Sequence, residues 1–125
     1  SDAASDNPVP VYDKLDWSAA IDANIELNDE TSTALEAAGG IGVRHHVDSV
    51  TICNASASNA IVAILTASTV LYKVFVASGG GSIANTFPTA LRGGDNEAIN
   101  AQVLTSGFSE TTPDGIYVNV SGFTD

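Results

Sequence analysis

The sequence contains a single cysteine, Cys53, among its 125 residues. One cysteine excludes an internal disulfide and any zinc or iron–sulfur site built from several cysteines. Its context, VTICN, predicts a small apolar position in the core, where a thiol is inert. The alternative for Cys53 is a disulfide to another chain.

Basic residues are scarce: 4 Lys and Arg stand against 15 Asp and Glu, so the formal net charge is −11. Attraction to phosphate backbones or anionic lipid therefore lacks its electrostatic driving force. We expect neither nucleic acid nor a membrane as a partner. The acids are concentrated in residues 1–30, where Lys14 is the one basic side chain, and the later core segments are nearly uncharged.

Motifs that carry chemistry are also missing. His45 and His46 are the only histidines, and neighbours on a strand point to opposite faces, so the two cannot bind one metal together. The segment GGGS at 79–82 lacks the Lys and the following helix of a phosphate-binding loop. The oxygen-rich segments 29–30 and 95–97 lack the ligand spacing of the helical calcium loop, which favours solvated turns. We expect no enzyme, no cofactor and no catalytic or metal-binding residue.

The longest apolar stretch, residues 60–76, is shorter than the roughly 20 residues that span a bilayer as a helix. It also carries Lys73 and has no basic flank to set an orientation. Its second half alternates, and its β-branched content favours a sheet. We predict a buried β-hairpin joined across Ser68 and Thr69. The first run is apolar on both faces, so we expect it to be covered on both sides.

Three strands are predicted before this hairpin, at residues 18–27, 32–38 and 43–54. The second has a short helix as its alternative, because its residues favour helix although the segment is short for one. The third is predicted to contain a bulge near Asp48. Asp48 follows His46 by two positions, so the two side chains share a face and are candidates for an ion pair or hydrogen bond.

After the hairpin, strands are predicted at residues 83–87, ended by Pro88, and at 98–105 and 116–121, with turns at 79–81, 91–96 and 113–115. Seven or eight short strands without a confident amphipathic helix predict an all-β fold. The expected architecture is a jelly-roll-like antiparallel β-sandwich with a flexible N-terminal arm. The pattern excludes a doubly wound nucleotide-binding fold.

The start of the chain, SDAASDNPVP, is acidic and contains two prolines, which predicts a flexible arm or one ordered by a partner. We divide the chain into an arm, residues 1–12, and a β-sandwich domain, residues 13–125. Tyr12 and Trp17 have two interpretations: they clamp the arm to the core, or they contact another subunit. No secretory signal is evident, so we expect synthesis in a cytoplasm.

Five short sequence motifs occur in a fixed order across residues 17–123. They are an Arg-led strand, an Asn-x-Ser-Ala turn, a Phe-Pro-x-x-Leu-Arg-Gly loop, an Ala-x-Asn strand and a closing Tyr-Val-Asn strand. Here they begin at Arg44, Asn54, Phe87, Ala98 and Tyr117. In this the chain resembles small structural proteins of tailed bacteriophage virions. It departs from their pattern at Ala90, where a second proline is common, and in an insertion at residues 108–114.

The resemblance implies a capsid decoration or cement protein on the exterior of a phage head, made in the host bacterial cytoplasm. Its partner would be the major capsid protein, whose subunits it bridges and stabilises without catalysis. A homo-oligomer is implied, a trimer before a dimer. The residues expected to make the contacts are Val9, Pro10, Tyr12, Trp17 and Arg92.

Two other functions stay open. A receptor-binding or adhesion module of a tail or head fibre would need a groove that binds glycan. The aromatic residues in the later part of the chain that are expected to form such a groove are Tyr72, Tyr117 and Phe123. A small jelly-roll enzyme would need histidines and carboxylates pointing into the barrel, and the chain offers His45 and His46.

Overall fold

The computed structural model describes residues 20–110 and 114–125, which form eight strands and no helix. The strands are β1 (Ala20–Leu27), β2 (Thr33–Glu36), β3 (His45–Asn54), β4 (Ala60–Thr66), β5 (Thr69–Val76), β6 (Gly81–Arg92), β7 (Ile99–Val103) and β8 (Ile116–Thr124). They pair antiparallel in two sheets, ordered β1-β8-β3-β6 and β2-β7-β4-β5. Eight strands interleaved in this way form a jelly roll, so the predicted fold class is confirmed. The predicted arm, residues 1–12, lies outside the described residues.

The core lies between the two sheets, because each strand turns its alternate apolar residues toward the other sheet. β8 is a clear case: Ile116, Val118 and Val120 are buried, whereas Tyr117 and Asn119 between them are exposed. Burying one such side chain contributes about 1.5–3 kcal/mol. Fully buried aliphatic residues come from both sheets, namely Val47, Val50, Ile52, Val62, Ile64, Val76, Ile99, Val103, Ile116 and Val118.

The predicted bulge in β3 is confirmed. The register shifts between Val47 and Ser49 against both neighbouring strands. The extra residue moves Val50 and Ile52 onto the inner face that His45 and Val47 already occupy, and all four are buried. Cys53 consequently lies on the outer face and is half-buried. Its expected place in the core is wrong, because the bulge reverses the alternation on which that expectation depended.

The predicted hairpin is confirmed as β4 and β5, with its turn one residue earlier than expected, at Ala67 and Ser68. Ala67 takes a positive φ of 49° in this turn. The expectation that β4 is covered on both sides is wrong at Ile61, which points away from the core and is 40% exposed. The other six residues of β4 are buried.

β6 continues through Pro88 to Arg92, whereas the sequence predicted a strand ended by the proline. A sheet edge tolerates proline because one side of the strand has no ladder to complete, and β6 is the last strand of its sheet. Ser49 pairs with Thr86 and Val47 with Leu91, so residues 87–90 bulge opposite Asp48. Leu91 and Arg92 therefore belong to a strand, and the turn that was predicted from residue 91 begins at Gly93.

Of the two interpretations of residues 32–38, the strand is correct, since β2 forms there. β8 extends to Thr124, three residues beyond the predicted end. The insertion at 108–114 begins at the buried Phe108, and residues 111–113 within it lie outside the described residues. In the two described ranges no helix is long and apolar enough to cross a membrane.

Candidate interaction surfaces

Of the five residues expected to contact a partner, the structure describes one. Arg92 is the exposed last residue of β6, and its cross-strand neighbour on β3 is His46. Val9, Pro10, Tyr12 and Trp17 lie outside the described residues. Arg92 is thus placed on the outer face of the sheet β1-β8-β3-β6, beside the histidine.

His46 is held on this outer face by residues near the end of the chain. Its ring stacks on Phe123, with centroids 4.6 Å apart and planes at 10°, and its Nε2 lies 3.0 Å from the Asp125 carboxylate. The partner of His46 is therefore Asp125 and not Asp48, which accepts a hydrogen bond from the Ser121 hydroxyl at 3.1 Å. Ser121 also hydrogen-bonds Ser49 across the strands.

His45 faces the interior, opposite to His46, as the sequence predicted. Its Nε2 lies 2.7 Å from the carbonyl oxygen of Ala37 and its Nδ1 lies 2.7 Å from the Thr124 hydroxyl. A carbonyl oxygen can only accept, so Nε2 carries the proton, and in the neutral ring Nδ1 accepts from Thr124. Both nitrogens are occupied by these bonds, which fasten the segment after β2 to the end of β8. The role of His45 is structural.

The glycine loop at 79–81 directs its amides into the molecule. Gly79 donates to the carbonyl oxygen of Ser56 at 2.9 Å and Gly80 to that of Asn54 at 2.7 Å. A phosphate cradle needs free amides that converge on the ligand, so this loop is a connection between the two sheets.

Carboxylates near the start of the chain fasten the loop between β7 and β8. Glu30 Oε2 accepts from the Gly107 amide at 2.8 Å, and Glu26 Oε2 accepts from the Gly115 amide at 3.1 Å. Asp29 accepts from the Thr31 amide at 2.9 Å. These acids therefore support backbone. In the described part of the chain no three His, Cys, Asp or Glu side chains are grouped so as to hold a metal ion.

Tyr117 lies on the outer face of β8 and pairs with Glu26 on one side and Cys53 on the other. Desolvation raises its pKa above the ordinary value of 10.0, and the charges of Glu26, Asp114 and Cys53 raise the pKa further. The phenol is thus held in its neutral form to higher pH than a free tyrosine.

One outer surface of the molecule is apolar. On the sheet β2-β7-β4-β5, four large side chains point away from the core and are 37–59% exposed: Ile61, Val70, Phe75 and Leu104. Phe75 pairs with Ile61, and the Leu104 amide donates to the Ile61 carbonyl oxygen at 2.8 Å, so these three side chains are neighbours. We call the outer surface of β4, β5 and β7, with Leu104, the apolar face; the outward side chains of β7, Asn100 and Gln102, are polar and uncharged. Contiguous exposed apolar surface marks sites of interaction.

The charge of the apolar face differs from that of the opposite sheet. β4, β5 and β7 contain no Asp or Glu, and Lys73 is their one charged residue. By contrast, β1 and β3 carry Asp22, Glu26 and Asp48. This surface was not predicted from the sequence, because the apolar residues of β4 were expected to be covered on both sides. The signal in the sequence was the segment that forms the edge strand β5. Apolar residues occupy both alternating sets of positions there, although only one set faces the core.

Another exposed apolar residue lies on the turn between β2 and β3. Ile41 is 91% exposed, and it is flanked by Gly40 and Gly42, whose φ angles are 112° and 85°. These positive angles need glycine. We call residues 39–42 the Ile41 turn. No sequence pattern singled it out, although an isoleucine enclosed by glycines was the signal.

The Ile41 turn is fixed by the oxygen-rich segment that follows β6. Asp95 Oδ1 accepts from the Gly42 amide at 2.7 Å and Asn96 Oδ1 accepts from the Gly40 amide at 3.1 Å. The Asn96 amide donates to the Val43 carbonyl oxygen at 2.9 Å. The segment 95–97 contains an exposed turn at Asp95 and Asn96, as expected, and these two side chains also hold another loop in place.

No protein-family model and no curated protein sequence matches this chain. Among solved structures, the chain is similar to one in the cryo-EM structure of a virus-like particle of the extra small virus (XSV) of the giant freshwater prawn Macrobrachium rosenbergii. The two share 11% sequence identity with a TM-score of 0.42, over 85% of this chain and 75% of that chain.

Proposed function

We propose that this chain is a non-enzymatic structural protein of a virion, and more closely a decoration protein on the exterior of a tailed phage head. It bridges neighbouring subunits of the major capsid protein. Because it binds the assembled shell and not the separated subunits, binding stabilises the shell by mass action.

The observation that supports this proposal best is the apolar face of an otherwise acidic molecule. With a net charge of −11, most of the surface favours solubility. The apolar face has no carboxylate on its three strands and leaves Phe75 59% exposed. Such a surface is suited to a subunit whose apolar face is buried in an interface with another protein. The resemblance to phage structural proteins supplies the identity of the assembly.

The N-terminal arm and Arg92 are the proposed contacts with the shell. An arm that becomes ordered on binding can reach surface far from its own domain. Arg92 adds a guanidinium on the outer face of the other sheet, where it can bind a carboxylate of a neighbour with two hydrogen bonds.

The adhesion-module alternative needs an aromatic groove, and the geometry disfavours it. Tyr72 packs edge-on against Phe87, with ring centroids 5.1 Å apart. Tyr117 and Phe123 lie on the outer face of β8, six residues and therefore about 20 Å apart. The three rings do not line one groove. Binding of the isolated protein to a glycan array would favour this alternative over decoration.

The test uses phage heads that lack the protein. Adding purified full-length chain is expected to raise the temperature at which the heads melt in calorimetry, and electron microscopy of the particles is expected to place it on the exterior. Heads that melt at the same temperature with and without saturating protein would contradict the proposal.

Two variants refine this test. Deletion of residues 1–10 is expected to leave the domain folded and to weaken attachment to heads, and Arg92→Ala is expected to weaken attachment as well. Thr51→Ala, an exposed change at the centre of the outer face of β3, is the matched control and should bind normally. If the truncated protein bound heads as tightly as the full chain, the arm would have no part in attachment.

A further inference from the structure

We propose that copies of this chain associate head to tail, with the Ile41 turn of one copy seated on the apolar face of the next. This deepens the proposed function, since it names the partner of the apolar face, and it rests on that face being covered in the assembly.

Ile41 has the properties of an anchor residue. Its side chain is 91% exposed, so nothing in its own domain has to be removed before a partner covers it. Hydrogen bonds from Gly40 and Gly42 to Asn96 and Asp95 hold the turn in place. An anchor that is fixed before binding loses little conformational entropy when it binds, and apolar anchors in desolvated contacts carry most of the affinity of an interface.

The apolar face supplies the complementary surface on the same chain. Ile61, Phe75 and Leu104 form a row of neighbouring side chains that are 40%, 59% and 37% exposed. Seating an isoleucine against this row removes apolar surface of both copies from water, which is the main favourable term in association.

Charge favours this pairing over other contacts between two acidic molecules. The exposed carboxylate of Asp95 lies beside Ile41, because its Oδ1 accepts the Gly42 amide at 2.7 Å. Lys73 is the one charged residue on the strands of the apolar face and is exposed on the edge strand β5. Docking of Ile41 brings Asp95 toward Lys73. Contacts through the opposite sheet would instead bring together the acids of β1 and β3, which costs free energy.

The two surfaces belong to different parts of the molecule. The Ile41 turn connects β2 to β3, and the apolar face is the outer surface of β4, β5 and β7. A contact between unlike surfaces is heterologous, and it closes into a ring or continues as a chain of subunits. A ring of three would have the trimeric state that the resemblance to phage structural proteins implies.

Disulfide trapping tests the geometry directly. Two variants of the full-length protein are prepared, both carrying Cys53→Ser. One also carries Ile41→Cys and the other carries Phe75→Cys. The two variants are mixed and oxidised with diamide. The inference predicts a crosslinked dimer in the mixture and little in either variant alone. Thr51→Cys, on the outer face of the other sheet, is the matched control and should remain uncrosslinked with Ile41→Cys. Circular dichroism verifies that each variant is folded.

The other outcomes overturn the inference. Efficient crosslinking of Phe75→Cys to itself would indicate that two apolar faces pack against each other. If no pair crosslinks and the unmodified chain sediments as a monomer, the apolar face does not bind a second copy.

A second measurement avoids cysteines. Ile41→Ser should raise the dissociation constant for self-association at least about tenfold in sedimentation equilibrium, and equal association of both proteins would contradict the inference. Attachment to phage heads is measured separately with the same proteins. Unmodified protein that sediments as a monomer and still stabilises heads would refute the head-to-tail contact and leave the decoration function standing.

Discussion

The side-chain amide of Asn54 donates a hydrogen bond to the carbonyl oxygen of Val76 at 3.0 Å, and this contact joins the end of β3 in one sheet to the end of β5 in the other. The same amide donates to the carbonyl oxygen of Ser58 at 2.8 Å. Its oxygen accepts from the amide and the hydroxyl of Ser56. One buried residue thus fastens two sheets and the turn between β3 and β4.

Asn54→Ala is expected to lower the free energy of unfolding by about 3 kcal/mol, because it removes four hydrogen bonds and leaves buried partners unsatisfied. Urea denaturation measures the change. Asn119→Ala is the control, since Asn119 is exposed on the outer face of β8, and it should change stability by less than about 0.5 kcal/mol. Similar losses in both variants would contradict the role given to Asn54.

Substitution of two isoleucines of β4 by alanine is expected to lower stability by very different amounts. Ile64 is fully buried between the sheets, whereas Ile61 on the same strand is 40% exposed. Ile64→Ala should cost about 2–5 kcal/mol of stability through lost burial and a cavity, and Ile61→Ala about 1 kcal/mol or less. Thermal and urea denaturation compare the two. A larger loss for Ile61→Ala would mean that the inner and outer faces of β4 have been assigned in reverse.

Removal of the Asp95 carboxylate is expected to loosen the Ile41 turn without unfolding the domain. Asp95→Ala deletes the acceptor of the Gly42 amide, so that amide should exchange with solvent faster, and stability should fall by about 1 kcal/mol. Hydrogen exchange followed by NMR is the measurement. Asp22→Ala, on the exposed outer face of β1, should leave exchange at Gly42 unchanged, and unchanged exchange in Asp95→Ala would contradict the clamp.

Tyr117 is expected to make the protein less stable in alkali. Its pKa in the folded protein is raised above 10.0, so the unfolded chain releases this proton at lower pH than the folded one. The corresponding stability is complete below the unfolded pKa and is lost as the pH rises through the folded pKa. Urea denaturation at about pH 8 and about pH 11 should show a steeper loss for the unmodified protein than for Tyr117→Phe. Equal slopes would contradict the assignment.

Local patterns were sufficient to predict most strands, because alternation with a period of two is set by neighbouring residues. They also located the bulge at Asp48, where the polar and apolar phases of β3 conflict. They failed at Pro88, since whether a strand tolerates proline depends on its position at the edge of a sheet. That position is a property of the whole topology.

The candidate surfaces were harder to predict than the fold. His46 meets Asp125, which is 79 positions away, and no local spacing indicates such a pair. Ile61 and Phe75 look like core residues in sequence, and only their exposure in the folded domain, 40% and 59%, shows that they point away from the core. The clamp on the Ile41 turn likewise joins segments more than 50 positions apart.

The separation of carboxylates from the apolar face also affects how the molecule approaches others. A protein of net charge −11 is repelled by any acidic surface, and among the described strands this repulsion is weakest where β4, β5 and β7, which contain no Asp or Glu, face outward. Long-range forces therefore turn these strands toward an acidic neighbour before contact, so electrostatics select the orientation of the encounter while apolar burial supplies its strength. Salt screens the repulsion over about 8–10 Å, and added salt consequently makes collisions more frequent and less selective.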